Sequence, residues 1–378
     1  MNDATREQPA ATPRTAAASA TETPPTANET GTAQLAAQEL GAQRSEGAHA
    51  TAAQRQELAS LIEWRVAGET VPGASHLRAG IPNQDALLQL RASSVRAPVI
   101  LSVSDGHGSN KCFRSHRGSR FAVHLAAALL NETLNLARGV EDVKKFAEET
   151  RRRLPAELVK RWRDAVEADL RQEPLQESEF ARLVEKDGAR ARSLVEANPF
   201  LAYGATLLVV ALTPLFALYL QLGDGEILNV SDAGTVTQPL PEDARLLANE
   251  TTSLCLENAA ADFRFAVLPH SDPPPALILL TTDGYANSFS DTAGFHKVGT
   301  DLLEMMRADG FDSVNRNIKG WLEEATAAGS GDDCTLAFIV RTDALAAKLS
   351  PTGAAPSDAA PAATLANLHE QPAPAKTA

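Results

Sequence analysis

Four times in this sequence an apolar, strand-length run meets an aspartate beside a glycine. Ala97–Ser104 runs into Asp105-Gly106, and Leu215–Leu222 runs into Gly223-Asp224-Gly225. Ala276–Thr282 runs into Asp283-Gly284, and Gly331-Asp332 opens onto Cys334–Val340. A fifth carboxylate, Asp85, immediately precedes the strand candidate Ala86–Leu90. One Asp-Gly is ordinary turn chemistry. Recurrence at strand ends is different, because strands crossing a core bring their ends to a common edge. Carboxylates gathered there repel one another unless a cation neutralises them. The donors are oxygens with no cysteine among them, which favours a hard cation such as Mg²⁺ or Mn²⁺.

The longest apolar stretch, Leu201–Leu222, has the length of a membrane span. Thr213-Pro214 interrupts it, and the flanking pieces Thr206–Leu212 and Leu215–Leu222 are strand-sized. A buried hairpin is the expectation, with a further strand at Glu226–Val230. Helical spacing appears at Phe121–Ala137, Thr300–Ala308 and Val314–Ala328. Residues 141–196 are charged and helical; Trp162, Val166 and Leu170 recur every four residues, with Pro155 placed near the helix start. Gln54–Arg65 reads as a short helix leading into the domain. Strands with interspersed helices and hairpin links predict a mixed, α+β sandwich.

The first aromatic residue is Trp64 and the last is Phe338. The ends are rich in Ala, Thr and Pro and lack large side chains to bury. We therefore expect disordered tails at 1–55 and 346–378, and one domain over 60–345 that carries a helical insert at 141–200. The formal charge of −13 disfavours nucleic-acid binding. Cys112, Cys255 and Cys334 are far apart, which argues against a thiolate zinc site or a disulfide framework and fits a cytoplasmic setting. No secretory signal opens the sequence, and no membrane association is expected. A calcium loop starting at Asp105 fails, because its twelfth position is His116. No glycine-rich nucleotide loop is present.

In order and context these pieces resemble the 2C-type, metal-dependent protein serine/threonine phosphatases (the PPM family). The matching residues are Asn83-Gln84-Asp85-Ala86, Val103-Ser104-Asp105-Gly106-His107-Gly108 and Gly204-Ala205-Thr206. Gly223-Asp224-Gly225, Thr281-Thr282-Asp283-Gly284 and Gly331-Asp332-Asp333-Cys334-Thr335 complete the set. The resemblance covers about residues 72 to 341, and is closest to bacterial members with an inserted helical segment. It implies an α/β/β/α sandwich: two antiparallel sheets face to face, with helices outside. It also implies a two-metal site (Mn²⁺ or Mg²⁺) with a weaker third ion. Asp105 would bridge both metals, and the Gly106 carbonyl would bind one of them. Asp283 and Asp332 would complete the other shell. Asp85 would act close by through water, and Asp224 would help hold the third ion. His107 matches the family's general acid. The implied activity is hydrolysis of phosphoserine and phosphothreonine by a metal-bridged hydroxide, opposing a serine/threonine kinase in bacterial signalling.

Several positions depart from that pattern. Gly80 stands where an arginine usually grips the substrate phosphate, leaving Arg78 and His76 as candidate replacements. Gln84 stands where many members carry Glu, and Gly-Asp-Gly-Glu replaces Gly-Asp-Ser-Arg. Asp333 follows Asp332 where Asn is usual, adding a carboxylate near the metals. The span from Asp224 to Asp283 is short, so a reduced substrate flap is expected. The alternative reading is a catalytically weak or inactive phosphatase-fold module that binds a phosphoprotein or signalling partner. Retention of Asp105, Asp283, Asp332 and His107 favours the enzyme.

Overall fold

The computed structural model describes residues 62–91, 98–136, 142–241, 243, 252–270 and 273–346. The expected tails lie outside these residues, apart from Ala346, which ends a short helix at Thr342–Ala346. The strands are β1 (Trp64–Val71), β2 (Ala86–Arg91), β3 (Val99–Ser104), β4 (Leu207–Leu212), β5 (Phe216–Leu222), β6 (Glu226–Val230), β7 (Val236–Thr237), β8 (Arg264–Pro269), β9 (Leu277–Thr281) and β10 (Cys334–Arg341). The helices are α1 (Ala74–Ala79), α2 (Ser115–Leu136), α3 (Val143–Gln172), α4 (Glu177–Ala197), α5 (Ala259–Asp262), α6 (Asp283–Ala286), α7 (Thr292–Asp309) and α8 (Phe311–Ala328).

Two antiparallel sheets of five strands result, ordered β1-β10-β9-β6-β7 and β2-β3-β4-β5-β8. Successive side chains on a strand point to opposite faces, so each central strand feeds two cores. Leu101, Val103, Leu208 and Val210 meet Ile278, Leu280 and Ile339 between the sheets. Their neighbours Ile100, Leu207 and Val209 pack outward against α2 and α3. On the far side, Leu279, Phe338 and Val340 pack against α7 and α8. This is the expected α/β/β/α sandwich. It also explains the membrane-like run: every residue of β4 and β5 is buried because both faces of the sheet are covered. Among the described residues no helix is long and apolar enough to cross a membrane. The three cysteines are buried and unbridged.

Three local expectations change. Trp64 and Arg65 are not helical; they open β1, which pairs with β10 from Trp64↔Arg341 to Val71↔Cys334. Residues 54–61 of the expected helix lie outside the described set. Pro155 lies in the interior of the 30-residue α3 rather than near its start. Proline there removes a backbone hydrogen bond and costs about 3 kcal/mol. Burial of Leu154, Leu158, Trp162 and Val166 offsets the loss, at roughly 1.5–3 kcal/mol for each large side chain. Strand β8 has no counterpart in the sequence reading. It is an edge strand with a weak alternation, and its pairing with β5 creates it.

The insert is anchored through one buried cation. Arg114 is 2% exposed, and its guanidinium forks onto Glu179 at 2.8 Å through both Nε and Nη2. It also donates to the carbonyls of Glu173 and Pro174 and to the Tyr203 hydroxyl. These contacts clamp the α3–α4 junction to the base of α2. Trp162 adds a second tie, its Nε1 donating to the Gly118 carbonyl at 2.9 Å.

Candidate metal centre

The site forms where strand ends from both sheets converge. Asp105 follows β3, and its backbone is tied to the start of β4. Its N–H donates to Thr206 Oγ1 at 2.9 Å, and its carbonyl accepts from the Thr206 N–H at 2.8 Å. Ser104 Oγ donates to the Thr206 carbonyl at 2.5 Å. Gly106 then bridges to Ala205. A Cβ on Gly106 would stand 2.6 Å from the Gln84 carbonyl and 2.9 Å from that of Ser115, so only glycine lets the three segments approach. Asp224 sits in the β5–β6 turn. Gln221 Nε2 donates to the Gly225 carbonyl at 2.5 Å, and the Gly223 N–H donates to Thr252 Oγ1 at 2.8 Å. Asp283 begins α6 directly after β9, its Oδ2 accepting from Asn287 Nδ2 at 3.0 Å.

One carboxylate oxygen from each of Asp105, Asp224 and Asp283 lies within 4.8 Å of the others. Asp85 stands behind them, 5% exposed. Its Oδ2 accepts from Thr335 Oγ1 at 2.7 Å and Thr282 Oγ1 at 2.8 Å. Its Oδ1 is buried with no hydrogen-bond partner among the described residues.

Burial and mutual repulsion load this cluster with protons. Burial, then the charges of Asp85, Asp283 and Asp224, raise Asp105 well above the ordinary carboxylate range. Burial pushes Asp85 up to about 8, with Asp333 and Asp283 adding to the rise and the two threonine hydroxyls opposing it. Burial, with Asp224 and Asp332, pushes Asp283 up to about 6. Carboxylates held at this disadvantage, in an all-oxygen set with an orphaned buried oxygen, fit a hard divalent cation.

His107 is half-buried beside Asp105, its N–H donating to the Gly204 carbonyl at 3.1 Å. Burial lowers its imidazolium below the ordinary range, and the negative charge of Asp224 opposes that shift.

Asp332 forms a different group. With His76 and Asp333 it makes a second set whose ligand atoms lie within 4.8 Å of one another. Its half-exposed carboxylate accepts from the Asp333 N–H at 2.8 Å and lies 3.6 Å from His76 Nε2. Its charge still reaches Asp105 and Asp283. Asp333 turns inward. At 3% exposure it accepts from the Gly73 N–H at 2.6 Å and the Gln84 N–H at 2.7 Å, and lies 2.9 Å from His76 Nδ1. It thus pins the segment that leads into Asp85. Asn at this position would set its NH₂ against one of the two backbone donors. Asp333→Asn should therefore destabilise the fold by about 1–3 kcal/mol, the penalty of an unsatisfied buried donor. A thermal midpoint equal to the wild type's would contradict this role.

Arg78 lies exposed in the last turn of α1 and makes no hydrogen bond or ion pair among the described residues. Gly80 caps that helix in the left-handed region (φ 67°, ψ 27°), a conformation that disfavours arginine. Thr206, Thr282 and Thr335 gained no role from the sequence, although each stands within one of the matching motifs. Their β-branched shape suits strand ends, and their hydroxyls point to Asp105 and Asp85.

A family model described as protein phosphatase 2C matches residues 72–323. No curated protein matches the chain. Solved structures that resemble it include the catalytic domain of the serine/threonine protein phosphatase PstP in complex with two manganese ions (18% identity, 74% of this chain and 99% of that one, TM-score 0.45). Others are PstP/Ppp of Mycobacterium tuberculosis (16%, 74% and 99%, TM-score 0.43) and PppA, a regulatory component of T6SS in Pseudomonas aeruginosa (18%, 74% and 97%, TM-score 0.44). With two thirds of its length matched by that model, the chain belongs to the protein phosphatase 2C family.

Proposed function

We propose that this protein hydrolyses phosphoserine and phosphothreonine in a phosphoprotein, using Mn²⁺ or Mg²⁺, and opposes a serine/threonine kinase. The observation behind this reading is the convergence of Asp105, Asp224 and Asp283, with the orphaned Asp85 oxygen behind them. Asp105, Asp283, Asp332 and the Gly106 carbonyl would hold two cations, and Asp224 a weaker third. Bound cations supply a hydroxide near neutral pH and neutralise the phosphoryl oxygens. The chain's own contribution is positional. Thr282 and Thr335 fix the Asp85 carboxylate, and the Gly106 approach fixes Asp105 against the β4 end. His107 delivers a proton to the leaving serine or threonine oxygen. Burial lowers the free imidazole below its ordinary range, and the charge of Asp224 opposes that shift, favouring the protonated form that a general acid needs.

His107→Ala should slow a phosphothreonine peptide about 100-fold, the lower range for general acid catalysis. It should slow p-nitrophenyl phosphate much less, because p-nitrophenolate leaves without protonation. Equal slowing of both would remove His107 from this role.

A second reading, a binding module without turnover, draws on one observation: Gly80 places no arginine beside the site. Phosphate release from a phosphothreonine peptide, with and without Mn²⁺, separates the two. Metal-dependent release supports the phosphatase. Metal binding without release supports the module.

A further inference from the structure

A groove of about 290 Å³ opens beside the metal centre. Its near end is lined by Gln84 and Gly108, the sequence neighbours of Asp85 and His107, and its far wall is α4. Gly80 and Gly108 line it with bare backbone, and a Cβ on either would meet nothing within 4 Å. The two glycines therefore leave room for a bound side chain to approach the backbone there.

The charge of this groove runs against that of the protein. Arg182 and Lys186 line the α4 wall one helical turn apart, both exposed. Arg182 Nε donates to the Ser178 carbonyl at 3.2 Å, and neither residue forms an ion pair among the described residues. Glu179 is the only described acidic residue in the lining, and its carboxylate is engaged by Arg114 and by the Gln176 N–H. The wall is also fixed in place. Phe180 and Leu183 are buried, and Asn110 Nδ2 donates to Asp187 at 2.8 Å, tying α4 to the loop that follows Gly108.

On a chain of net charge −13, an acidic polypeptide meets net repulsion. This groove offers it two uncompensated cations next to the catalytic edge. We infer that Arg182 and Lys186 are specificity-determining residues, which seat acidic side chains flanking the phosphorylated residue of a substrate polypeptide. The assignment rests on the phosphatase reading above, and gives the helical insert a role in substrate choice.

The test uses two phosphothreonine peptides that differ only in three flanking residues, all Glu or all Lys, assayed on the full chain with Mn²⁺. The wild type should favour the Glu peptide about 10-fold in kcat/KM, and less at high salt, where exposed charges are screened. In Arg182→Glu/Lys186→Glu that ratio should fall to one or below, while the thermal midpoint stays put because both side chains are exposed. Arg182→Ala/Lys186→Ala should lie between. A ratio equal in wild type and variants overturns the inference. If the wild type releases phosphate from neither peptide, the phosphatase reading falls, and fluorescence anisotropy of the same labelled peptides decides the groove alone. Tighter binding of the Glu peptide that the variants lose supports the groove; equal binding of both peptides ends it.

Discussion

Asp105→Asn should remove Mn²⁺-dependent phosphate release while leaving the metal-free fold at least as stable as the wild type. Asp105 belongs to the cluster, and its carboxylate is raised by burial and by four further aspartates. Asparagine keeps the shape and discards the charge with which Asp105 would hold a cation. Loss of one preorganised charge-stabilising group commonly costs 10²–10³-fold in turnover, so a fall of about 10³-fold or more is expected. Without metal the same change relieves repulsion with Asp85, Asp283 and Asp224, and the backbone ties of Asp105 to Thr206 remain. The expected pair of readings is therefore opposite in sign: activity lost, metal-free thermal midpoint equal or higher. Metal-dependent turnover within 10-fold of the wild type would sink the assignment of this site.

Stability should depend on pH and metal together. Asp283 and Asp85 titrate in the fold near 6 and 8, against an ordinary value of 3.8. Groups raised in this way make the folded chain hold protons that the unfolded chain has released. Their contribution is full below about pH 4 and is lost as pH rises through 6 and then 8. Asp169 and Glu179 carry the opposite sign. Their arginine and tyrosine partners lower them despite burial, so their contribution persists above pH 4 and is lost in acid. Between pH 5.5 and 8 the raised aspartates lower the metal-free midpoint, while His107, His116 and His270, whose imidazoliums burial lowers, oppose them at the acid end, so the net fall is expected above about pH 6.5. A cation must displace those protons to bind, so its stabilisation grows over the same interval. The Mn²⁺-induced rise in midpoint should be larger at pH 8 than at pH 5.5, by about 5 °C, the effect of roughly 1–2 kcal/mol in a domain of this size. Scanning calorimetry with Mn²⁺ or with chelator at both pH values reads this directly. Equal shifts at the two pH values would mean that these carboxylates do not share the metal.

Much of the centre was legible because its information is local. Each aspartate follows or precedes an apolar run whose strand character comes from its own composition, and glycine beside it marks the turn. The run over β4 and β5 was readable as a hairpin because Thr213-Pro214 breaks it. Trp64 and Arg65 were misread because an edge strand with weak alternation becomes a strand only when β10 lies beside it. Pro155 was misplaced for a related reason: a long helix with a buried face tolerates a lost backbone bond that an isolated helix would not.

The partition within the centre follows the same division. By itself, the sequence determined that five aspartates stand at strand ends, that their donors are oxygen, and that a histidine follows Asp105 by two positions. Only the tertiary structure decided which of them meet. It gathers Asp105, Asp224 and Asp283, sets Asp332 with His76, and turns Asp333 inward onto the Gly73 and Gln84 amides. It also brings Thr335 to Asp85 across 250 positions of sequence, and sets Arg182 and Lys186 of α4 in the groove that Gly108 lines. Residues so distant meet only through the pairing of strands and the stacking of two sheets, and the energy that fixes that pairing lies in side chains buried far from the site.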